Sequence, residues 1–292
     1  MIRRIVSAVA ALVIFTAAAT AAAECSLRIV SKLPLQMEAA GRMTVPVTLN
    51  NKSFRMLIDT GDYYSTIFKR TAKVLGVETF PADNFRLMGW GGQVFDHFVD
   101  LDQFGFGRLA RQKTQFMVDN ANGIGFDGLL GADFLYNFEL DFDYAKATLN
   151  LFSPDHCDGR VVYWTKGDYG VVPFDYRDRA IQFTVMIDGK EVLAMLDTGA
   201  YDTVMSLEKA EDLYGVDEKT LAEHNGRYPF KTLSFGAVSV GNPEIHLVSE
   251  KKSKMLTWGS PRLLIGMGVL RRLHLFISYK EEKLYVTPAT QY

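Results

Sequence analysis

Cysteine is scarce: Cys25 and Cys157 are the only two in 292 residues. Neither has a second ligand at the short spacing zinc requires, so a metal site is set aside even with His156 beside Cys157. The five histidines, His97, His156, His224, His246 and His274, are scattered and form no ligand spacing. No G-x-S-x-G element is present, so no serine nucleophile is announced. Charge of one sign is lacking too: 32 basic against 34 acidic side chains leave a formal charge of −2 and a pI near 6.2. That balance offers nucleic acid no footprint. The one basic run, Lys251-Lys252-Ser253-Lys254, reads as a solvated loop. The stretch from Gly123 to Gly128 satisfies G-x-G-x-x-G, but a dinucleotide site needs a strand before it and a long helix after. Here a polar loop precedes it and the apolar Leu129-Leu130-Gly131 follows. No organic cofactor is implied, and no long low-complexity segment occurs.

What is present is a repeat. The chain is 48% hydrophobic and 12% aromatic, enough for two modest cores, and its many short apolar runs punctuated by glycine predict a mostly β fold. Asp-Thr-Gly occurs at Asp59-Thr60-Gly61 and again at Asp197-Thr198-Gly199, each time closing an apolar run. A carboxylate at the end of a buried strand is costly unless chemistry or pairing justifies it. Upstream, TVPVTLNNKSFRMLI and QFTVMIDGKEVLAML both read as strand, polar turn, strand. Their turns stand at equal distance from the acid, 59 − 50 = 9 and 197 − 188 = 9. Downstream, a short strand and a helix end at Gly76 or Gly215. Later, Leu129-Leu130-Gly131 is matched by Leu264-Ile265-Gly266, at 131 − 59 = 72 and 266 − 197 = 69 from the acid. Four blocks in one order at nearly one spacing identify a tandem duplication.

The ends and the middle carry other signals. Arg3 and Arg4 precede an apolar stretch that closes on Ala21-Ala22-Ala23, so residues 1–23 read as a signal peptide. This stretch of 19 residues is also just long enough to stay as an uncleaved membrane anchor. The expected address is periplasmic or secreted in a bacterium, with inner-membrane anchoring as the other outcome. The modules are expected at 24–153 and 166–292, joined by a linker at 154–165. In an oxidising compartment Cys25 and Cys157 read as a disulfide tying the N-terminus to that linker, and two free thiols are the alternative.

The paired Asp-Thr-Gly motifs and paired apolar-apolar-Gly segments resemble the retropepsin-like aspartic proteases over nearly the whole chain beyond residue 23. The resemblance implies two β-barrel modules in a pseudo-twofold, bilobal pair with a cleft between them. It implies that Asp59 and Asp197 form a catalytic dyad, that Thr60 and Thr198 bond across the twofold, and that Gly61 and Gly199 let the loops approach. An extended polypeptide would lie in the cleft of a monomer, under a glycine-rich flap formed by Gly89, Trp90, Gly91 and Gly92. The second module lacks that glycine cluster, so one full flap is expected. Peptide hydrolysis of this kind has one carboxylate take a proton from water while the other supports the carbonyl oxygen. The first motif departs from the family: Asp62 stands where a small uncharged residue is usual, opposite Ala200. It would make the cleft asymmetric in charge, or else turn away to pair with a neighbouring Arg or Lys. Asp202 reads as a pocket-edge or structural acid. Two other classes stay open: a non-catalytic peptide-binding scaffold on the same fold, and a two-carboxylate glycosidase, which the tandem repeat disfavours.

Overall fold

The computed structural model describes residues 26–82, 87–88, 94–121, 125–224, 227–250 and 261–290. Each module starts from a hairpin whose register its turn sets. Met43–Leu49 pairs with Lys52–Ile58 around Asn50-Asn51, and Ala180–Ile187 pairs with Lys190–Leu196 around Asp188-Gly189. Both central residues of each turn have positive φ, 46° and 63° in the first and 45° and 80° in the second. That geometry matches the twist of a tight hairpin, and Asn, Asp and Gly tolerate it best. Alternation then decides the faces: Val45, Val47 and Leu49 are buried while Pro46 and Thr48 face out.

The helices Lys69–Leu75 and Leu207–Tyr214 end where the sequence predicts, at Gly76 and Gly215, both left-handed. Each module folds an eight-stranded sheet, and in the first, Met43–Leu49 also pairs with His97–Phe106, curling the sheet towards a barrel. The duplication extends to topology. Gly128–Leu130 lies parallel to Lys52–Ile58 and antiparallel to Thr66–Phe68. Leu263–Ile265 repeats this against Lys190–Leu196 and Thr203–Ser206.

A third, six-stranded sheet belongs to both modules. Ile29–Pro34, Thr148–Phe152 and Glu139–Asp143 come from the first, and Leu273–Ser278, Lys283–Pro288 and Gly170–Pro173 from the second. The seam runs between Glu139–Asp143 and Leu273–Ser278, with Leu140 opposite Ile277 and Asp143 opposite His274. One apolar cluster continues from Leu33 through Leu140 and Ile277 to Val286. The modules are therefore fused halves of one body rather than beads on a linker.

Candidate active site

Each Asp-Thr-Gly loop leaves its strand at a fixed height because its first amide is tied to the neighbouring strand. Asp59 N donates to Leu130 O and Asp197 N to Ile265 O, both at 3.0 Å. The carboxylates are then oriented by their own turns. Asp59 Oδ1 accepts from Gly61 N at 2.9 Å and Asp62 N at 3.0 Å. Asp197 Oδ1 accepts from Gly199 N at 2.8 Å and Ala200 N at 2.9 Å. Below them the threonines cross the twofold as the resemblance implied. Thr60 N donates to Thr198 Oγ1 and Thr198 N to Thr60 Oγ1, each at 3.1 Å. The hydroxyls go on to donate to Leu196 O at 3.2 Å and Ile58 O at 2.7 Å.

This lattice brings the two carboxyl groups together. A Cβ on Gly61 would stand 2.5 Å from Asp197 Cγ, and one on Gly199 would stand 2.0 Å from Asp59 Oδ2. Any larger residue would fill the space the opposite acid occupies. Gly131 and Gly266 are excluded from growing in the same way, by the backbone of Asp62 and Tyr64 and of Ala200 and Asp202. Both acids are almost wholly buried, 8% and 6% exposed. Burial first, then the charge of Asp197, pushes Asp59 well above the usual carboxylate range. Burial pushes Asp197 up to about 6, against the pull of the Ala200 and Gly199 amides. Two acids so placed disfavour a second negative charge between them.

The surroundings are not symmetric. Asp62, half-buried beside the dyad, is pushed up to about 7, by burial and then by the charge of Asp59. Among the described residues no Lys or Arg pairs with its carboxyl. Asp202, in the second module, has His246 Nε2 at 3.4 Å instead.

Three supporting contacts were not anticipated. Asp133 Oδ1 accepts from both Ser65 N and Ser65 Oγ at 2.8 Å, and Ser65 Oγ in turn accepts from Gly131 N at 3.1 Å. Thr203 Oγ1 takes that place in the second module, accepting from Gly266 N at 3.1 Å. Arg179, on the turn between Asp175–Arg177 and Ala180–Ile187, reaches across the seam. Its Nη1 donates to Tyr63 O at 3.2 Å and its guanidinium lies 4.5 Å over the Tyr64 ring. A Ser six residues past the dyad acid, matched by a Thr in the other repeat, was the available signal for the first two; nothing local marked Arg179.

The expected flap is described only at its stem, where Leu87 pairs with Phe95 and Met88 with Val94. Gly89, Trp90, Gly91 and Gly92 lie outside the described residues, as do residues 1–23, Cys25 and the lysine run at 251–254. No cluster of metal-ligating side chains occurs among the described residues.

Two barrel-like modules, each delivering one Asp-Thr-Gly acid to a common buried dyad, define a bilobal carboxylate-dyad fold. Residues 45–134 match the family model described as aspartyl protease, and residues 183–272 match that of the gag-polyprotein aspartyl protease. Together the matches span more than half of the chain, which belongs to the retropepsin-like aspartyl protease family and carries two such domains in tandem. No curated protein matches the chain.

Proposed function

We propose that this protein is an aspartic endopeptidase that hydrolyses peptide bonds of an extended polypeptide through a water activated between Asp59 and Asp197. The observation that carries this reading is the reciprocal fit of Gly61 against Asp197 and Gly199 against Asp59, which brings two buried acids together, and on this reading they share one proton. In that state the ionised partner takes a proton from water, and the protonated partner supports the substrate carbonyl oxygen. The substrate backbone adds to the cleft as a strand, and the hairpin rising from Leu87–Met88 closes over it as the flap, with Gly89, Trp90, Gly91 and Gly92 at its tip. Asp62 gives one side of the cleft a negative charge that Ala200 does not match. We further propose that residues 1–23 direct export to a bacterial periplasm, where Cys25 joins Cys157 and the chain works as a monomer.

The test is incubation of the wild type, Asp59→Asn and Asp197→Asn with a peptide library. Each variant should lose roughly 10²-fold or more of the cleavage rate while keeping its fold. Peptide binding without cleavage by the wild type would instead identify a scaffold that kept the fold.

A further inference from the structure

The loop that carries Asp59 is pinned along its length by its own module. Asp62 O accepts from Ala132 N at 2.8 Å and Tyr63 O from Asp133 N at 3.3 Å. Ser65 then closes the loop on the Asp133 carboxylate, through N and Oγ. These pins gather three acids that repel one another. Asp62 is pushed up by burial and then by the charges of Asp59 and Asp133. Burial pushes Asp133 up as well, against the pull of the Ser65 bonds and of the nearby Arg179 charge.

Arg179 enters this group from the other module. It stands on the two-residue turn that joins Asp175–Arg177 to Ala180–Ile187, where Asp178 and Arg179 have φ of 48° and 61°. Glycine fits that left-handed backbone best and an arginine is strained in it. A glycine would close the same turn, but it could not reach the first module. Arg179 Nη1 donates to Tyr63 O at 3.2 Å, and the guanidinium lies 4.5 Å over the Tyr64 ring, whose face attracts a cation. One side chain thus grips two successive residues of the Asp59 loop and brings positive charge to Asp133. The hairpin behind it has a separate hold on the first module. Tyr176 stacks on Tyr136 at 4.9 Å and 7°, with Tyr279 edge-on to both at 5.4 and 5.3 Å.

The second loop repeats the backbone pins but not the rest. Ala200 O accepts from Met267 N at 2.9 Å and Tyr201 O from Gly268 N at 3.0 Å. Gly268 stands where the first module has Asp133, so no carboxyl follows. The hairpin turn that corresponds to Asp178-Arg179, at residues 38–42, closes on itself. Glu38 accepts from Ala40 N at 2.9 Å, Arg42 N at 3.0 Å and Arg42 Nε at 2.9 Å, and Arg42 lies 4.9 Å over Phe126 of its own module. The grip from across the seam falls on the loop that carries the extra carboxyl, Asp62, where repulsion is greatest.

We propose that Arg179 is a positioning residue for the catalysis proposed above, on which this inference rests: by gripping Tyr63 O and the Tyr64 ring it holds the Asp59 loop in register with Asp197 against the mutual repulsion of Asp59, Asp62 and Asp133. It touches neither dyad acid and acts through the loop. The crossed threonines tie the two loops at their base, and Arg179 ties the far end of one of them to the opposite module.

The variant Arg179→Gly tests this, because glycine suits the turn and only the side chain is lost. Cleavage of a peptide by the full chain should show kcat lowered roughly 10-fold or more with KM within about twofold, since the reacting groups shift while the cleft stays. Hydrogen–deuterium exchange read by mass spectrometry should quicken roughly 10-fold at residues 61–65 and stay unchanged at residues 199–203. An unchanged kcat in an active enzyme would overturn the proposal, and so would an equal quickening at both loops, which marks general loosening. If the wild type cleaves no peptide, the catalytic reading fails, and the exchange contrast alone decides whether Arg179 holds the loop. If the variant does not fold, the wild type decides: residues 61–65 should exchange more slowly than 199–203, and equal rates would overturn the proposal.

Discussion

Replacing Thr198 by valine keeps shape and volume and deletes one hydroxyl at the bottom of the site. That hydroxyl accepts from Thr60 N at 3.1 Å and donates to Ile58 O at 2.7 Å, both in buried surroundings. Thr198→Val therefore leaves one donor and one acceptor without partners. Each orphaned buried group costs about 1–3 kcal/mol, so the expected loss is about 2–6 kcal/mol. The remaining half of the lattice, Thr198 N to Thr60 Oγ1, is untouched, and Thr60→Val should cost a similar amount by symmetry. The pair should not add. The first deletion already slackens the loops, so the double variant should fall short of the sum by about 1 kcal/mol or more. Urea unfolding followed by both tryptophan fluorescence and far-UV circular dichroism measures all three. A single-variant loss below about 0.5 kcal/mol, or strict additivity, would show that the crossed threonines do not hold the modules' loops together.

The site makes further commitments. Gly199→Ala would put a methyl 2.0 Å from Asp59 Oδ2, so peptide cleavage should drop by roughly 10²-fold or more in a protein whose circular dichroism is unchanged; retained activity would contradict the close approach. Asp62, raised to about 7, binds its proton more tightly folded than unfolded. Its burden on stability therefore grows as pH climbs from about 4 through 7 and is absent below. Asp62→Asn should raise Tm at pH 8 and leave it unchanged at pH 4. In the same variant the basic limb of the pH–rate profile should move to lower pH, because a like charge no longer favours the dyad's proton; unmoved curves would make Asp62 a bystander.

Much of this architecture is legible in the residues, and the reason is local. The equal spacing from Asn50 and Asp188 to the acids reflects hairpins of one length, and Gly76 and Gly215 end helices because only a left-handed residue fits there. Asp59 and Asp197 stand out because they close buried strands. What the sequence hides is distant pairing. Glu139, Asp141 and Asp143 alternate with Leu140 and Phe142 and so read as a half-exposed strand, and nothing nearby says that His156 and His274 will meet them. The six-stranded sheet needs Leu140 to find Ile277, a contact that no window of either repeat contains. Arg179 is hidden for the same reason: its turn looks like any polar hairpin tip, and its target, Tyr63 O, is a backbone atom of the other module.

The central claim is that water, activated between Asp59 and Asp197, cuts a peptide bond. Cleavage of a peptide substrate in ¹⁸O-labelled water, under a single turnover and read by mass spectrometry, addresses it directly. The account predicts one ¹⁸O atom in each new C-terminal carboxyl with the wild type, and no product above background with Asp59→Asn or Asp197→Asn. Labelled product from either folded variant at the wild-type rate would contradict it.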